Sequence, residues 1–193
     1  MCKYIATFVV IAGGCLLPAG ASAQQTNTCP LPPATKLEAF DTNADTVIIK
    51  ATAPIGTVTA RGGTVAVRCR EITDAGTGRR ESGIIIDLAF DTQLAITALI
   101  DYDELDALLD GLEYLGKLDW SVTSLPDFSA NYTTKGGFRA AARGSRRTGN
   151  IEFDVRSTRL IGPRLALSRD ELGQLRSLVD QAKAKLDSLR KGK

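Results

Sequence analysis

The chain is predicted to fold as an α+β protein of two similar halves, each with four antiparallel strands followed by one amphipathic helix. Three observations predict this class. Segments with a two-residue apolar alternation occur in groups, each group ends in a segment with helical apolar spacing, and the whole order occurs twice. Antiparallel strands with one buried face supply the surface that such helices need, so each sheet is expected to be packed by one helix.

The first 23 residues have the features of a secretory signal peptide. Met1 to Lys3 give a short positive start, the run from Tyr4 to Leu17 is almost wholly apolar, and Ala21 to Ala23 form a small-residue cleavage site. We therefore expect export to the periplasm or the extracellular space after cleavage near Ala23-Gln24. No later segment is apolar enough to be predicted as a membrane span. Lipoprotein processing at Cys15 is the alternative.

Residues 24–45 lack a sustained apolar period and are predicted to be a flexible lead-in to a single domain at 46–193. Signal cleavage would leave two cysteines, Cys29 and Cys69, in an oxidising compartment. Cys69 lies on the apolar side of an alternating segment, which favours a buried thiol. A disulfide between Cys29 and Cys69 is the alternative interpretation.

The first half is expected to cover about residues 46–117. The segments TVIIKATA and IGTVTAR lead to Gly62 and Gly63, a pair that suits a two-residue hairpin turn because both central positions of such turns need positive φ. The strand segments TVAVRCREI, GIIIDLAFD and LAITALI follow. The half then ends in the helix predicted within LIDYDELDALLDGLEYLGK.

The second half, about residues 121–193, repeats this order. FSANYTTK leads to Gly136 and Gly137, and then come FRAAARG, NIEFDVRS, LIGPRLAL and the helix within SRDELGQLRSLVDQAKAKL. A shift of 67 residues superposes the two copies without gaps from Ile84 to Leu108. We interpret this match as an internal repeat, with convergent helix patterning as the alternative.

The two predicted helices begin and pack in similar ways. Ser168 and Glu171 have the spacing of a capping box, and Asp101 and Glu104 are expected to cap the first helix from the equivalent positions. Each helix has one apolar stripe at helical spacing. The stripes consist of Leu105, Leu108, Leu109, Leu112 and Leu115 in the first helix, and of Leu172, Leu175, Val179, Ala182 and Leu186 in the second.

This tandem plan of four strands and a helix is similar to that of the Whirly and PUR-repeat proteins, in which such units pack as pairs and bind single-stranded nucleic acid. The stretches SGIIIDL, IDYDELDALL and TKGGF also resemble bacterial exported proteins of unassigned function. Both resemblances imply a fold. Neither implies an active site, because one fold supports many functions.

Charge separates the two halves. Residues 55–117 contain 6 basic and 11 acidic residues, whereas residues 121–193 contain 15 basic and 7 acidic residues. An excess of positive charge is typical of proteins that bind polyanions, but solvated charge, or attraction between the two halves within one domain, accounts for the same pattern and is the favoured interpretation. Arg139 and Arg143 are expected to point outward from their strand, while Tyr132 points inward. The candidate polyanion-binding residues are Arg139, Arg143, Arg146, Arg147, Arg156 and Arg164, and Arg159 lies among them.

The composition argues against the commonest enzyme classes. The chain has no histidine, which removes histidine-based triads and the usual histidine-containing zinc sites, and no C-x-x-C pair. We therefore expect a non-enzymatic binding or assembly module that needs no cofactor and binds an unknown protein or polyanion. The alternatives are polyanion or single-stranded nucleic-acid binding through the arginine-bearing strands of the second half, and a carboxylate-based enzyme. Self-association through an exposed sheet edge is a further option.

Overall fold

The computed structural model describes residues 33–42, 45–160 and 163–191, all of which belong to one compact unit, 32–193. The signal segment, the cleavage site, Cys15 and Cys29 lie outside the described residues. The elements are α1 (Lys36–Asp41), β1 (Ile48–Ala60), β2 (Gly63–Asp74), β3 (Arg80–Phe90), β4 (Ala95–Asp101), α2 (Leu105–Lys117), β5 (Asp127–Thr133), β6 (Phe138–Ser145), β7 (Asn150–Ser157), β8 (Leu165–Leu167) and α3 (Arg169–Lys191).

The strands form two four-stranded sheets with the same topology. The first sheet has the order β1-β2-β3-β4 and the second the order β5-β6-β7-β8, and all neighbours are antiparallel. On β2, Val65, Val67 and Cys69 are buried in the core, whereas Arg68 and Arg70 lie on the opposite face. The predicted α+β class with two similar sheets is confirmed.

The two hairpins that contain paired glycines differ from the prediction. Strand pairing places Arg61 and Gly62, rather than Gly62 and Gly63, in the turn between β1 and β2, and Gly62 has the positive φ of 97°. The connection between β5 and β6 covers residues 134–137 and ends at Gly137, whose φ is 85°. Gly62 therefore supplies a positive φ within its turn and Gly137 supplies one at the last position of its connection, whereas Gly63, with a φ of 150°, already begins β2.

The register of the last strand differs between the sheets. Ile84 lies opposite Ile100 in the first sheet, but Leu167, which the 67-residue shift equates with Ile100, lies opposite Phe153 rather than Ile151. The gapless sequence match therefore does not extend to the strand pairing, which is displaced by two residues at β8. Since side chains alternate with a period of two, this displacement keeps the same face of β8 in the core.

The core face of each sheet is packed by one long helix, but that helix comes from the other half of the chain. α3 packs against β1 and β2, whereas α2 packs against β5 and β6 and against α3. A Cβ at Gly111 of α2 would lie 2.6 Å from the ring of Tyr132 on β5, and a Cβ at Gly56 of β1 would lie 2.6 Å from Leu178 of α3. A glycine faces a large side chain at both contacts, which permits close approach.

One hydrophobic core joins both sheets with α2 and α3. The predicted stripes of both helices are confirmed, because every residue in them is buried. Among the helices that the structure describes, none combines the length and the apolar character needed to cross a bilayer.

The capping prediction is confirmed for α3 and wrong for α2. The Glu171 N–H donates to Ser168 Oγ at 3.2 Å, and the Ser168 N–H donates to Glu171 Oε2 at 2.6 Å. Asp101 instead accepts hydrogen bonds from the Lys36 and Leu37 N–H groups of α1, at 2.7 and 3.1 Å. Its counterpart Glu104 accepts from the Lys135 N–H at 2.9 Å. These carboxylates hold separate segments together rather than cap their own helix.

Helix α1 corrects the prediction that residues 24–45 are entirely a flexible lead-in. Leu37 and Phe40 are buried with Ile72 on the outer face of the first sheet, where they form a second, smaller core. Thr35 caps the helix by accepting the Glu38 N–H at 3.1 Å. The sequence pattern missed α1 because six residues with only two large apolar side chains are too few to establish a helical period.

Candidate functional site

The seven arginines that the sequence places around the second sheet do not form one patch. Two of them are engaged by carboxylates of the chain. Arg143 donates through Nη1 to Asp154 Oδ1. Arg159 makes a double ion pair with Glu38 of α1, with Nη1 2.5 Å from Oε1 and Nη2 2.9 Å from Oε2. Both side chains therefore contribute to internal structure.

Arg146 clamps the segment that connects the two halves. Its Nη2 donates to the carbonyl oxygens of Trp120 at 2.9 Å and Thr123 at 2.8 Å, and its Nε donates to the Leu125 carbonyl at 3.3 Å. The guanidinium carbon also lies 5.4 Å from the centroid of the Trp120 ring. The donors of Arg146 are thus directed at the chain itself.

Arg139, Arg156 and Arg164 define a group that we call the arginine row. Arg139 of β6 lies directly opposite Arg156 of β7. Arg164 immediately precedes β8, whose first residue, Leu165, pairs with Val155. Because side chains alternate along a strand, the three arginines belong to the outer face of the second sheet, across three neighbouring strands.

Within the part of the chain that the structure describes, the arginine row has no ion-pair or hydrogen-bond partner. The Nε atoms of Arg139 and Arg156 are buried and unpaired. Asp154, which lies diagonally across from Arg139, is already bound by Arg143 through one oxygen, and its Oδ2 is buried without a partner. Like charges directly opposite on adjacent strands are destabilising, so a bound anion would relieve this arrangement.

Arg147 lies apart from the row. It is exposed in the connection between β6 and β7, beyond Ser145, whereas Arg139 lies near the other end of β6. At about 3.3 Å per strand residue, the two positions are on the order of 20 Å apart. The six predicted residues are therefore divided between the two ends of the sheet.

Tyr132 points inward, as the sequence predicts, and packs against Gly111. Burial is the main cause that raises the pKa of its hydroxyl, with smaller contributions from the negative charges of Glu104 and Asp110. The outer-face positions of β5 to β8 that the structure describes include no aromatic residue. The arginine row therefore has no adjacent ring on which a base could stack.

Ion pairs between α2 of the first half and α3 of the second half neutralise part of the opposite charges of the two halves. Glu113 of α2 lies 2.7 Å from Arg176 of α3, and Asp106 of α2 lies 3.2 Å from Lys183 of α3. The structure therefore contains the internal attraction that the sequence left as an alternative. These pairs use arginine and lysine residues of α3 and leave the arginine row free.

A cavity of about 500 Å³ is lined by both carboxylates and cationic side chains. Its lining includes Asp103, whose pKa is held below its usual value chiefly by the hydrogen bond from Lys36. The pKa shifts resolved for other described carboxyls, those of Asp74, Glu113, Asp119 and Asp187, are also downward. A general acid needs the opposite shift. No group of three or more acidic or thiol side chains among the described residues is arranged to hold a metal ion.

Cys69 is a buried thiol in the core, with its Sγ 3.5 Å from the carbonyl oxygen of Ala182 in α3. Burial raises the pKa of this thiol, which disfavours the reactive thiolate. Cys29 lies outside the described residues, so the Cys29–Cys69 disulfide stays a prediction.

Sequence reasoning identified the members of the arginine row but not their arrangement. The arrangement depends on the strand register. The pairing that places Arg139 opposite Arg156 also places Asp154 diagonally opposite both Arg139 and Arg143. The outward alternation of each strand is readable from the sequence. The relative displacement of neighbouring strands is not.

Comparison with protein-family models, curated proteins and solved structures finds no match for this chain. The candidate site therefore rests on its own geometry and chemistry.

Proposed function

We propose that this chain is an exported, non-enzymatic binding module whose arginine row binds the anionic groups of a polymer. The observation that carries the proposal is the direct opposition of Arg139 and Arg156, with both Nε atoms buried and unpaired. Keeping two guanidinium groups opposite each other without a carboxylate costs stability. A ligand that supplies negative charge would recover that cost.

The ligand class follows from the donors and from what surrounds them. Arginine presents planar pairs of N–H donors that match phosphate, sulfate and carboxylate oxygens. The outer face of the second sheet has no aromatic residue at the described positions, so nucleobases would contribute little. We therefore propose recognition of closely spaced anionic groups, as in sulfated polysaccharides or polyphosphate, in preference to a base sequence.

The N-terminal segment supports the location. Its short positive start, apolar run and small-residue cleavage site are those of an export signal. A protein outside the cytoplasm encounters anionic polysaccharides and other polyanions of the cell envelope. Export would therefore bring the arginine row to a compartment in which anionic polymers occur.

The test compares two double variants with the same change in charge. Arg139→Glu/Arg156→Glu alters the arginine row, and Arg147→Glu/Lys185→Glu alters exposed positions elsewhere. Titration with heparin, polyphosphate and single-stranded DNA should show at least roughly tenfold weaker binding for the row variant, because each charge-assisted hydrogen bond contributes about 1.5–3 kcal/mol. Wild-type affinity should fall steeply with salt as counterions are released.

Equal losses in both double variants would contradict the proposal, since they would mean attraction to the overall charge. Arg156→Gln supplies a check that needs no polymer. It should raise the thermal stability of the free protein at low salt, because it removes the opposing charge, while it weakens binding.

A further inference from the structure

Three of the four outer edges of the two sheets are blocked within the described residues, and the blocks differ. The edge of β8 is met by Arg61, whose N–H donates to the Ala166 carbonyl at 2.9 Å and whose carbonyl accepts from the Ala166 N–H at 3.2 Å. At the edge of β4, Gly136 lies so close to the Leu99 carbonyl oxygen that an added Cβ would collide with it. The turn between β1 and β2 thus covers the β8 edge of the second sheet, and the connection between β5 and β6 covers the β4 edge of the first sheet.

The edge of β1 is interrupted by its own sequence. Pro54 lacks an N–H donor, and the pairing of β1 shifts register between Pro54 and Gly56. Lys50 adds a charge on the same strand and lies 2.5 Å from Asp41. Proline, a bulge and lysine are features that oppose pairing with a further strand.

β5 has none of these protections. Its seven residues, DFSANYT, include no proline, lysine or arginine, and Asp127 at its start is the only charged residue. β6 pairs with one side of β5, which leaves the N–H and C=O groups of the other side without a neighbouring strand among the described residues. A strand of this kind readily accepts another strand.

An apolar groove of about 450 Å³ runs beside this edge between α2 and β5. Gly111, Ala130 and Tyr132 line it, and Tyr114 of α2 stands at the groove with 65% of its surface exposed. The groove is placed to receive apolar side chains of a strand added to β5. Main-chain pairing and an adjacent side-chain pocket are the two components of recognition by strand addition.

We infer that the occupant is a second copy of the same chain, paired antiparallel through β5 about a two-fold axis at Ala130. In this register Phe128 lies opposite Tyr132 of the second copy on the core side, and Ser129 lies opposite Asn131 on the outer side. Asp127 lies opposite Thr133, so no like charges oppose each other. The strand is therefore complementary to itself, as a two-fold interface requires.

This dimer would join the second sheets of two copies into one continuous eight-stranded sheet. The arginine rows of both copies would lie on the same face, near Thr133 of each β5. Because the paired strands run in opposite directions, the two rows would be displaced by about 20 Å along the strands. The inference does not depend on anion binding, since it rests on β5 and its edge.

The test introduces charges at the two outer positions of β5, both of which are exposed. Ser129→Lys/Asn131→Lys places like charges opposite each other twice in the proposed register, whereas Ser129→Lys/Asn131→Glu places opposite charges together twice. The purified full chain should show a concentration-dependent monomer–dimer equilibrium in analytical ultracentrifugation, in a series that reaches roughly 1 mM, the weak end of specific association. The double-lysine variant should remain monomeric, and the lysine–glutamate variant should dimerise at least as well as the wild type.

A wild-type chain that stays monomeric over this range would overturn the inference. So would a dimer that survives the double-lysine change, because association through the apolar segment 4–17 or any other surface would be unaffected by it. Equal weakening by both double variants would show that β5 contributes but that the register is wrong. Circular dichroism of both variants checks that the fold is kept.

Discussion

The outer faces of the two sheets carry the same ion pair in different surroundings. Arg68 and Asp87 on the first sheet occupy the same diagonal arrangement as Arg143 and Asp154 on the second. Both carboxylate oxygens of Asp87 have partners, because Arg68 binds Oδ2 and the Thr97 hydroxyl donates to Oδ1 at 2.8 Å. Asp154 lies opposite alanine on β8, and its second oxygen has no partner.

The rest of each face also differs. α1 covers part of the first sheet, with Leu37 and Phe40 buried against it. The described residues place no helix on the outer face of the second sheet, where the arginine row lies. Arg70 on the first sheet also has an unpaired Nε, but it lies opposite Thr52 and Gly83 rather than a second arginine. One scaffold therefore supports a covered face and an open, positively charged face.

The largest loss of stability is expected from replacing the aspartates of the two equivalent ion pairs, Asp87 in the first sheet and Asp154 in the second. Asp154→Ala should lower the free energy of unfolding by about 3 kcal/mol, because it leaves Arg143 without its carboxylate beside the arginine row. Asp87→Ala should cost about 1 kcal/mol, since the Asp87 side chain is 23% exposed against 4% for Asp154. Urea denaturation of both variants measures the difference, and equal losses would show that the two pairs are energetically alike.

A smaller difference in the free energy of unfolding is expected between substitutions at Asp101, which precedes α2, and at Ser168, which precedes α3. Asp101→Ala should cost about 2 kcal/mol, because it leaves the buried Leu37 N–H and the adjacent Lys36 N–H without an acceptor. Ser168→Ala should cost about 1 kcal/mol through loss of a cap. Hydrogen exchange gives the decisive readout, since only the change at Asp101 should speed exchange in α1. Acceleration of α1 exchange by Ser168→Ala would contradict the different roles of these positions.

The smallest effect should come from the ion pairs that join the two halves. The hydrogen bond from Lys117, and then that from Arg176, holds the pKa of Glu113 below its ordinary value of 4.5. A folded-state pKa that is lowered contributes stability above the unfolded pKa, and that contribution is lost as the pH falls through the folded value. Glu113→Gln should therefore be slightly less stable than the wild type at neutral pH and equal to it in acid.

Asp180→Asn is the matched control for this pH dependence, since Asp180 is exposed and has no ion pair among the described residues. Thermal melts from pH 7 downward should bring the wild type and Glu113→Gln together, while Asp180→Asn should follow the wild type throughout. A gap between the wild type and Glu113→Gln that is unchanged in acid would mean that the loss comes from packing rather than charge.

Much of the fold could be predicted because the relevant signals are local. The alternation of Val65, Val67 and Cys69 determines which face of β2 is buried, and the Ser168–Glu171 spacing specifies a capping box. The same reasoning was wrong at Asp101, which has a cap-like position but accepts from α1. A side chain at a helix start can bind any N–H within reach, and distant segments are not visible in a local pattern.

The candidate site was predictable in composition and not in geometry. Arg139 and Arg143 share one face of β6 by alternation alone, yet one is unpaired and the other is bound by Asp154. Arg159 likewise appeared free in sequence but pairs with Glu38, more than a hundred positions away. The distinction depends on strand register and on α1, neither of which the arginine pattern contains.

The sequence by itself determined the strands and the two long helices, their repeated order and the face that each buries, because these follow from periods of two and 3.6 residues. The tertiary structure alone decided that each helix packs on the sheet of the other half, that α1 covers one outer face, and that three arginines stay unpaired on the other. Those outcomes depend on contacts between distant segments. A periodic pattern states which side of an element is apolar, but many partners can satisfy it.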